Sequence, residues 1–278
     1  MNIIWIADFT TKDRPGGAQE TNDLMVIHGR KMWHNIKYMT PDDFSTLELE
    51  RADLVIVNNI LKFHPSHRKW IIENVPYVKY DHDHNTAKSI VNFPKLFLSA
   101  KLNIFLSPLH LQEVSKIVKY KIPNAKVVPS PINTDLFKIT NKDKIKDSVF
   151  MCGNLAPFKG IKNVISYLKK HKEKSLFIAG WNEDKAKELI SMKNVTFLGF
   201  IEHKKLPEVY NRYESFIHLT SSEEACGRTV LEAYLCGCRL IVNERVGVMS
   251  YKWDWKNYDE IKEKVNSQKQ FWKLIEEI

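Results

Sequence analysis

Residues 221–237 read SSEEACGRTVLEAYLCG, and this segment decides how the second half of the chain is interpreted. It follows a short apolar run at 216–219 and continues into a helical pattern, so it predicts a loop between a strand and a helix. Gly227 permits close approach to the backbone, and the amides of Gly227, Arg228 and Thr229 lie where a new helix exposes unpaired donors. Such a helix start is suited to binding an anion such as phosphate.

Two glutamates flank this predicted helix start. Glu224 lies in the loop, and Glu232 follows about one turn into the helix, where its carboxylate can accept hydrogen bonds from vicinal hydroxyls such as those of ribose. Taken alone, the two residues also fit an ordinary cap and an ordinary helix position, because acidic side chains are common at helix starts. The surrounding sequence has to decide between these interpretations.

The rest of the second half predicts a regular alternation of strands and helices. Strands are expected at 149–152, 176–179, 196–198, 216–219 and 240–242, and helices at 161–170, 183–192, 205–213 and 227–235. In the first of these helices Ile161, Val164, Ile165 and Leu168 share one face, which indicates packing against a sheet. Strands joined by crossover helices form parallel sheets, and ligands bind such sheets beyond the carboxyl ends of the strands.

The first half shows the same pattern less regularly. Strands are expected at 3–6, 54–57, 77–80, 104–106 and 127–128, and helices at 18–31, 66–73 and 109–120. The polar segment 139–147 is interpreted as the connection between an N-terminal domain, 1–140, and a C-terminal domain, 141–256. Residues 257–278 predict an amphipathic helix that packs back on the N-terminal domain. The predicted fold class is α/β, with two doubly wound, Rossmann-like domains.

Composition limits the classes of protein to consider. The chain has 278 residues, 44% of them hydrophobic, and a formal net charge of +9. This composition excludes global disorder, and the charge favours an anionic partner. The absence of a long apolar stretch or a secretory signal predicts a cytoplasmic location. The four cysteines are expected to be reduced, and the Cys236–Cys238 spacing is too tight for the usual zinc pair.

The two glutamates belong to a larger set of motifs. Glu224 and Glu232, with seven residues between them, resemble the paired-glutamate motif of the retaining GT-B glycosyltransferases of family 4. GNLAPFKG at 153–160, VTFLGFI at 195–201 and LEAYLCG at 231–237 resemble, in family order, its Lys-Gly loop, its strand leading to the base pocket and its donor-site helix. GGAQE at 16–20, YDHD at 80–83 and VPSPINTDLF at 128–137 resemble the family more weakly, with Ser130-Pro131 in place of the usual Asn-Gly. The resemblance implies the GT-B fold, with a cleft between its two domains.

The resemblance also implies a role for each matching residue. Lys159 would neutralise the donor diphosphate, Glu224 would bind hydroxyls of the donor sugar, and Glu232 would bind the ribose. The predicted catalytic residues are His82, which would touch the donor sugar or the reacting centre, together with Lys159 and Glu224. The remaining predicted donor contacts are Gly16, Gly17, Gly153, Asn154, the main chain near Ile201, and the amides of Gly227, Arg228 and Thr229. For Gly16 and Gly17, a plain flexible turn is the alternative.

One position departs from the family pattern. Relatives commonly place an arginine where this chain has Asn154. An amide can donate a hydrogen bond to phosphate but supplies no charge. Either another cation, such as Arg228, compensates or donor binding is weak.

The run DHDH at 81–84 admits further interpretations. Along a strand, His82 and His84 would share one face while Asp81 and Asp83 share the other. A His-x-His or an Asp-x-Asp pair could then hold a divalent ion. No third group of ligands is evident, so no metal is assigned, and a purely structural histidine is the other alternative.

The predicted function is retaining transfer of a sugar from a nucleoside diphosphate sugar, with a UDP-, GDP- or ADP-sugar as co-substrate and no obligatory cofactor. The acceptor is expected to be a saccharide, lipid-linked or other hydroxyl, and no nucleic acid is expected as a partner. The aromatic residues Tyr251, Trp253, Trp255 and Tyr258 are expected to pack the tail helix, with peripheral contact to a membrane as the alternative. The rival functions are a GT-B-fold phosphorylase or hydrolase and a nucleotide-binding α/β module without turnover.

Overall fold

The computed structural model describes residues 1–14, 16–89 and 95–278. The chain forms two compact units. The first comprises Met1–Pro131 and Asn266–Ile278, and the second comprises Ile132–Val265. The predicted α/β class with two Rossmann-like domains is confirmed, because each unit is built on one parallel sheet.

The first unit contains a six-stranded sheet in the order β2-β1-β3-β4-β5-β6, with every pair parallel. Its strands are β1 Asn2–Ile6, β2 Asn35–Met39, β3 Leu54–Val57, β4 Tyr77–Tyr80, β5 Leu102–Phe105 and β6 Ala125–Val127. The helices between them are α1 Gly17–Lys31, α2 Thr46–Glu50, α3 Pro65–Asn74, α4 His84–Ser89, α5 Lys95–Leu98 and α6 Pro108–Val118. Strands β3, β4 and β5 are buried along their whole length, as expected for strands covered on both faces.

The second unit contains a five-stranded parallel sheet in the order β11-β10-β7-β8-β9. Its strands are β7 Ile145–Asn154, β8 Ser175–Trp181, β9 Val195–Phe197, β10 Tyr213–His218 and β11 Arg239–Val242. Its helices are α7 Ile161–Lys170, α8 Lys187–Ile190, α9 Leu206–Arg212, α10 Arg228–Leu235 and α11 Tyr258–Lys264. The chain runs outward from β7 to β9 and returns to β10 on the other side of β7. The order of the strands therefore reverses between β7 and β10.

The core of the second unit follows from the pattern of α7. Ile161, Val164, Ile165 and Leu168 are all buried, and they pack against apolar residues of the sheet such as Val149. The helix has the predicted bounds, because its 3.6-residue periodicity is unbroken over its whole length.

Several elements differ from the prediction. Strand β2 was not predicted, because it lies at the sheet edge and Asn35 and Lys37 on one of its faces are exposed. The short helices α2, α4 and α5 were also missed. The helix expected at 183–192 is a 3-10 turn, Glu183–Ala186, followed by the single turn α8. Strand β7 begins at Ile145, so part of the segment expected to connect the domains belongs to the second sheet.

The tail is not one helix. Helix α11 ends at Lys264, and a last helix, α12 Gln268–Glu276, follows in the first unit. There Trp272 is fully buried, and its Nε1–H donates to the Met25 carbonyl oxygen at 2.9 Å. Its ring centroid lies 6.3 Å from that of Trp5. No helix in the described parts of the chain is long and apolar enough to cross a lipid bilayer.

Candidate active site

The carboxyl ends of β7 and β10 form the point where the strand order of the second sheet reverses, which is where ligands bind sheets of this kind. The loops that follow these two strands are joined by hydrogen bonds. The Phe158 carbonyl oxygen accepts from the Ser221 amide and from the Thr220 hydroxyl, both at 3.0 Å. Gly160 has a φ of +83°, and a Cβ there would lie 1.8 Å from the Leu219 carbonyl oxygen. This close approach requires glycine.

Lys159 and Glu224 meet where these loops join. Lys159 Nζ lies 2.9 Å from Glu224 Oε1, and His218 Nε2 lies 2.5 Å from Glu224 Oε2. The lysine and glutamate side chains are 22% and 21% exposed, so a ligand can reach them. Burial by itself would raise the pKa of the Glu224 carboxyl, but the charges and hydrogen bonds of His218 and Lys159 hold this pKa well below its usual range. Glu224 is therefore ionised at neutral pH and acts as a hydrogen-bond acceptor.

Glu232 is the centre of a second ionic cluster. Its Oε1 lies 2.9 Å from His203 Nε2 and 3.5 Å from Arg228 Nη2, and its side chain is only 2% exposed. Burial would raise the pKa of this carboxyl as well, but His203 and Arg228 outweigh burial and lower it. Any ligand hydroxyl that approaches Glu232 has to share or displace these bonds.

Helix α10 begins beside these groups. Its N-cap is Gly227, which has a φ of +91°, and a Cβ there would lie 2.3 Å from Val246 Cγ1. The position therefore requires glycine for both conformation and space. Because glycine provides no side-chain cap, no side chain at the N-cap competes with a ligand for the amides that begin the helix, including those of Arg228 and Thr229.

The other predicted donor contacts of the second unit lie at the ends of β7 and β9. Gly153 has a φ of +117°, with open space where a Cβ would stand. The side-chain oxygen Oδ1 of Asn154 accepts from the Ala156 amide at 3.0 Å and from Asn182 Nδ2 at 2.8 Å, which fixes the plane of its side-chain amide. Ile201 lies in the irregular segment after β9.

The remaining predicted site residues belong to the first unit. His82 is buried, with Nε2 lying 2.5 Å from Asn58 Oδ1. Gly16 is the N-cap of α1, and Gly17 begins the helix. The structure thus joins Lys159 directly to Glu224, and Arg228 to Glu232, within the second unit, whereas His82, Gly16 and Gly17 lie in the first.

The segment 81–84 does not continue the strand, so the expected alternation of its side chains is wrong. Strand β4 ends at Tyr80 and α4 begins at His84. Asp81 is fully buried, with Oδ1 2.6 Å from Lys79 Nζ and Oδ2 3.3 Å from His110 Nε2. Despite the raising effect of burial, Lys79 and His110 hold the pKa of the Asp81 carboxyl well below its usual range. The negative charge of this buried carboxylate is therefore balanced by the positive charge of Lys79.

Sequence reasoning missed the two histidines that contact the paired glutamates, His218 and His203. His218 had a detectable signal, since it is a polar residue at the end of an apolar strand directly before the glutamate-containing loop. His203 had no such signal in the sequence, because its contact with Glu232 joins residues 29 positions apart.

Comparisons with known proteins agree with this architecture. Residues 133–278 match the family model described as glycosyl transferases group 1. HepE (Alr3699) of Anabaena, solved in complex with UDP-glucose, shares 16% identity at a TM-score of 0.74, with 100% of both chains covered. The sucrose-phosphate synthase tll1590 of Thermosynechococcus elongatus shares 13% identity at a TM-score of 0.70, covering 98% of this chain and 90% of that one. A search of curated protein sequences finds no significant match.

The structural likenesses are at low sequence identity and establish the fold, which is that of the GT-B glycosyltransferases. The family match establishes more, because it covers more than half of the 278 residues and includes both glutamates and Lys159. The chain therefore belongs to the glycosyl transferases group 1 family and is a glycosyltransferase.

Proposed function

We propose that the protein transfers a sugar from a nucleoside diphosphate sugar to a hydroxyl acceptor with retention of configuration. The donor binds at the carboxyl ends of β7 and β10, where the strand order of the second sheet reverses. The observation that carries this proposal is the 2.9 Å contact between Lys159 and Glu224, which come from separate loops. A cation for phosphate and a carboxylate for hydroxyls thus stand side by side where parallel sheets bind ligands.

The reaction needs both kinds of group. As the glycosidic bond to phosphate breaks, negative charge grows on the departing nucleoside diphosphate and the anomeric carbon becomes cation-like. Lys159 and the amides at the start of α10 are suited to the phosphates. The ionised Glu224 is suited to accept hydrogen bonds from the donor sugar, and Glu232 to accept them from the ribose.

In the structure described here, Lys159 and Glu224 neutralise each other. A bound diphosphate replaces Glu224 as the partner of Lys159, because two phosphates carry more charge than one carboxylate. That exchange releases Glu224 Oε1 for a sugar hydroxyl. Donor binding therefore prepares the carboxylate for its own role.

Arg228 is the best candidate for the cation that Asn154 does not supply. Arg228 is the first residue of α10, the helix whose amides are proposed to hold phosphate, and its Nη2 lies 3.5 Å from Glu232 Oε1, within the candidate site. The proposal places the base near the main chain of Ile201. The roles of His82, Gly16, Gly17 and Gly153 stay predictions from the family resemblance.

The donor and acceptor are proposed only by class. HepE has been solved with UDP and with UDP-glucose, which supports including UDP-sugars among the donors to test beside GDP- and ADP-sugars. The acceptor is proposed to be a saccharide or a lipid-linked hydroxyl. Retention is proposed from the family resemblance, with the leaving phosphate assisting the incoming hydroxyl.

The donor is found by thermal shift with a panel of UDP-, GDP- and ADP-sugars, because a ligand that binds the folded state raises the melting temperature. With that donor, Glu224→Gln is expected to abolish sugar transfer while leaving nucleotide affinity largely intact. The anomer of the product is read by NMR. Transfer by Glu224→Gln at the wild-type rate would remove this residue from the proposal, and sugar release that requires inorganic phosphate would favour a phosphorylase.

Lys159 is tested by the affinity for the nucleoside diphosphate. Lys159→Ala is expected to weaken it by about 1.5–3 kcal/mol, the range for a hydrogen bond to a charged group. Isothermal titration calorimetry measures this loss. Lys162→Ala is the matched control, since Lys162 is an exposed lysine on α7. Equal affinities of Lys159→Ala and the control would exclude Lys159 from the diphosphate site.

A further inference from the structure

We infer that His218 is a positioning residue that holds Glu224 in place when Lys159 leaves it for the donor diphosphate. The inference rests on the proposed function, because it assumes that Glu224 binds the donor sugar and Lys159 the phosphates. It adds a residue that acts through Glu224 without touching the substrate.

The two partners of Glu224 differ in how firmly the fold holds them. His218 is the last residue of β10, an inner strand of the sheet, and its side chain is 4% exposed. Its ring lies nearly parallel to that of Phe216, with an interplanar angle of 8°. Lys159 instead lies at the end of a short 3-10 turn in a loop, with a long side chain that is 22% exposed. The histidine is therefore the fixed partner and the lysine the movable one.

The hydrogen-bond pattern of the imidazole supports this division. A carboxylate can only accept, so the short contact of 2.5 Å requires that His218 Nε2 carries the hydrogen. The other ring nitrogen, Nδ1, is buried and has no hydrogen-bond partner in the part of the chain that the structure describes. Glu224 is thus the side-chain hydrogen-bond partner of the His218 imidazole.

The donor-bound state makes this bond necessary. Once the diphosphate takes Lys159, Oε1 of Glu224 is released, and the bond from His218 to Oε2 fixes the direction of the carboxylate. A carboxylate without that bond can rotate away from the sugar hydroxyls. Misplacement of a positioning group by about 1 Å can cost on the order of 10²-fold in rate.

The test uses two variants. His218→Leu removes the N–H that donates a hydrogen bond to Glu224, and His218→Gln has a side-chain amide that can reach the position of Nε2. We expect His218→Leu to lower kcat by about 10²-fold with little change in the Kd for the nucleoside diphosphate. We expect His218→Gln to recover much of that loss. His171→Leu is the control, because His171 is a half-exposed residue that caps α7 away from Glu224.

Three outcomes overturn the inference. The first is turnover at the wild-type rate by His218→Leu, and the second is an equal loss of kcat in His218→Leu and His218→Gln when both variants fold and bind nucleotide normally. The third is a loss of nucleotide affinity and melting temperature in His218→Leu that is large enough to account for the lower rate. If His218→Leu does not fold, His218→Asn replaces it, since its shorter amide cannot reach Glu224. Glu224→Gln is assayed alongside. Normal sugar transfer by Glu224→Gln defeats the proposed function. If Glu224→Gln loses sugar transfer but His218→Leu keeps it, only the inference about His218 is defeated.

Discussion

Two lysine–carboxylate pairs lie at or beyond the carboxyl ends of strands, and exposure separates their roles. Lys79 and Asp81 are both 0% exposed and 2.6 Å apart, whereas Lys159 and Glu224 are about one-fifth exposed and 2.9 Å apart. A fully buried pair cannot exchange partners with a ligand, and removing one member leaves an uncompensated charge. The Lys79–Asp81 pair is therefore part of the first unit's structure, while the Lys159–Glu224 pair is open to exchange.

His84 lies beside that buried pair, and its titration makes the stability of the first unit depend on pH. Burial first, and then the charge of His110, lower the pKa of His84 from 6.5 to about 4. Between pH 4 and 6.5 the unfolded chain protonates this imidazole and the folded chain does not, so stability rises with pH across that window. We expect His84→Gln to be less sensitive to this change of pH than the wild type.

Urea unfolding at pH 5 and pH 7 measures the effect. The difference in unfolding free energy between these two pH values should be smaller in His84→Gln. His171→Gln serves as the control, because that histidine is half exposed and belongs to the second unit. A wild-type pH difference in His84→Gln would contradict the assignment of this titration to His84.

At the scale of elements, two glycines hold the loops of the candidate site, and they differ in what a side chain would meet. A Cβ at Gly160 would lie 1.8 Å from the Leu219 carbonyl oxygen, which is backbone of the neighbouring loop. A Cβ at Gly227 would lie 2.3 Å from Val246 Cγ1, a side-chain atom that a second substitution can remove. Both glycines also have positive φ angles, at which a side chain costs about 1–3 kcal/mol.

We therefore expect Gly160→Ala and Gly227→Ala both to lower the melting temperature and the affinity for the nucleoside diphosphate. Adding Val246→Ala to Gly227→Ala should recover part of the loss, because it removes the clash but not the backbone strain. The same addition to Gly160→Ala should recover nothing. Melting curves and calorimetry of the single and double variants decide this. An equal response of both glycine variants to Val246→Ala would show that the predicted contacts are wrong.

The elements also show what a sequence can reveal. Strands β3 and β4 and helix α7 have their predicted bounds, because continuous apolar runs and an unbroken helical period are local signals. Strand β2 was not predicted, because at its half-exposed edge position the run of apolar residues is interrupted. Lys159, Glu224 and Glu232 were named from motifs, and His218 directly precedes the glutamate-containing loop in the sequence, but the position of His203 beside Glu232 depends on a tertiary contact.

At the scale of the whole molecule, the motifs and the family match fall in the same part of the chain. The match spans residues 133–278, which contain all of the second unit except Ile132, together with α12. The structural likeness to HepE extends over the whole chain, although identity is only 16%. Residues 1–131 of the first unit therefore share the fold of HepE, although the family model does not match them. The last residues of the chain, Asn266–Ile278, also belong to this unit.

Those last residues return to the first unit through α12, where Trp272 packs against α1. A Cβ on Gly29 would lie 2.1 Å from Trp272 Cζ2, so the indole lies against the backbone of α1. Trp272→Ala is expected to cost about 3–5 kcal/mol, as for other buried aromatic truncations. Hydrogen exchange should then lose protection in α1 and β1. Trp33→Ala is the control, since Trp33 lies in the same unit and is 94% exposed. Equal protection in the two variants would show that α12 does not stabilise the first unit.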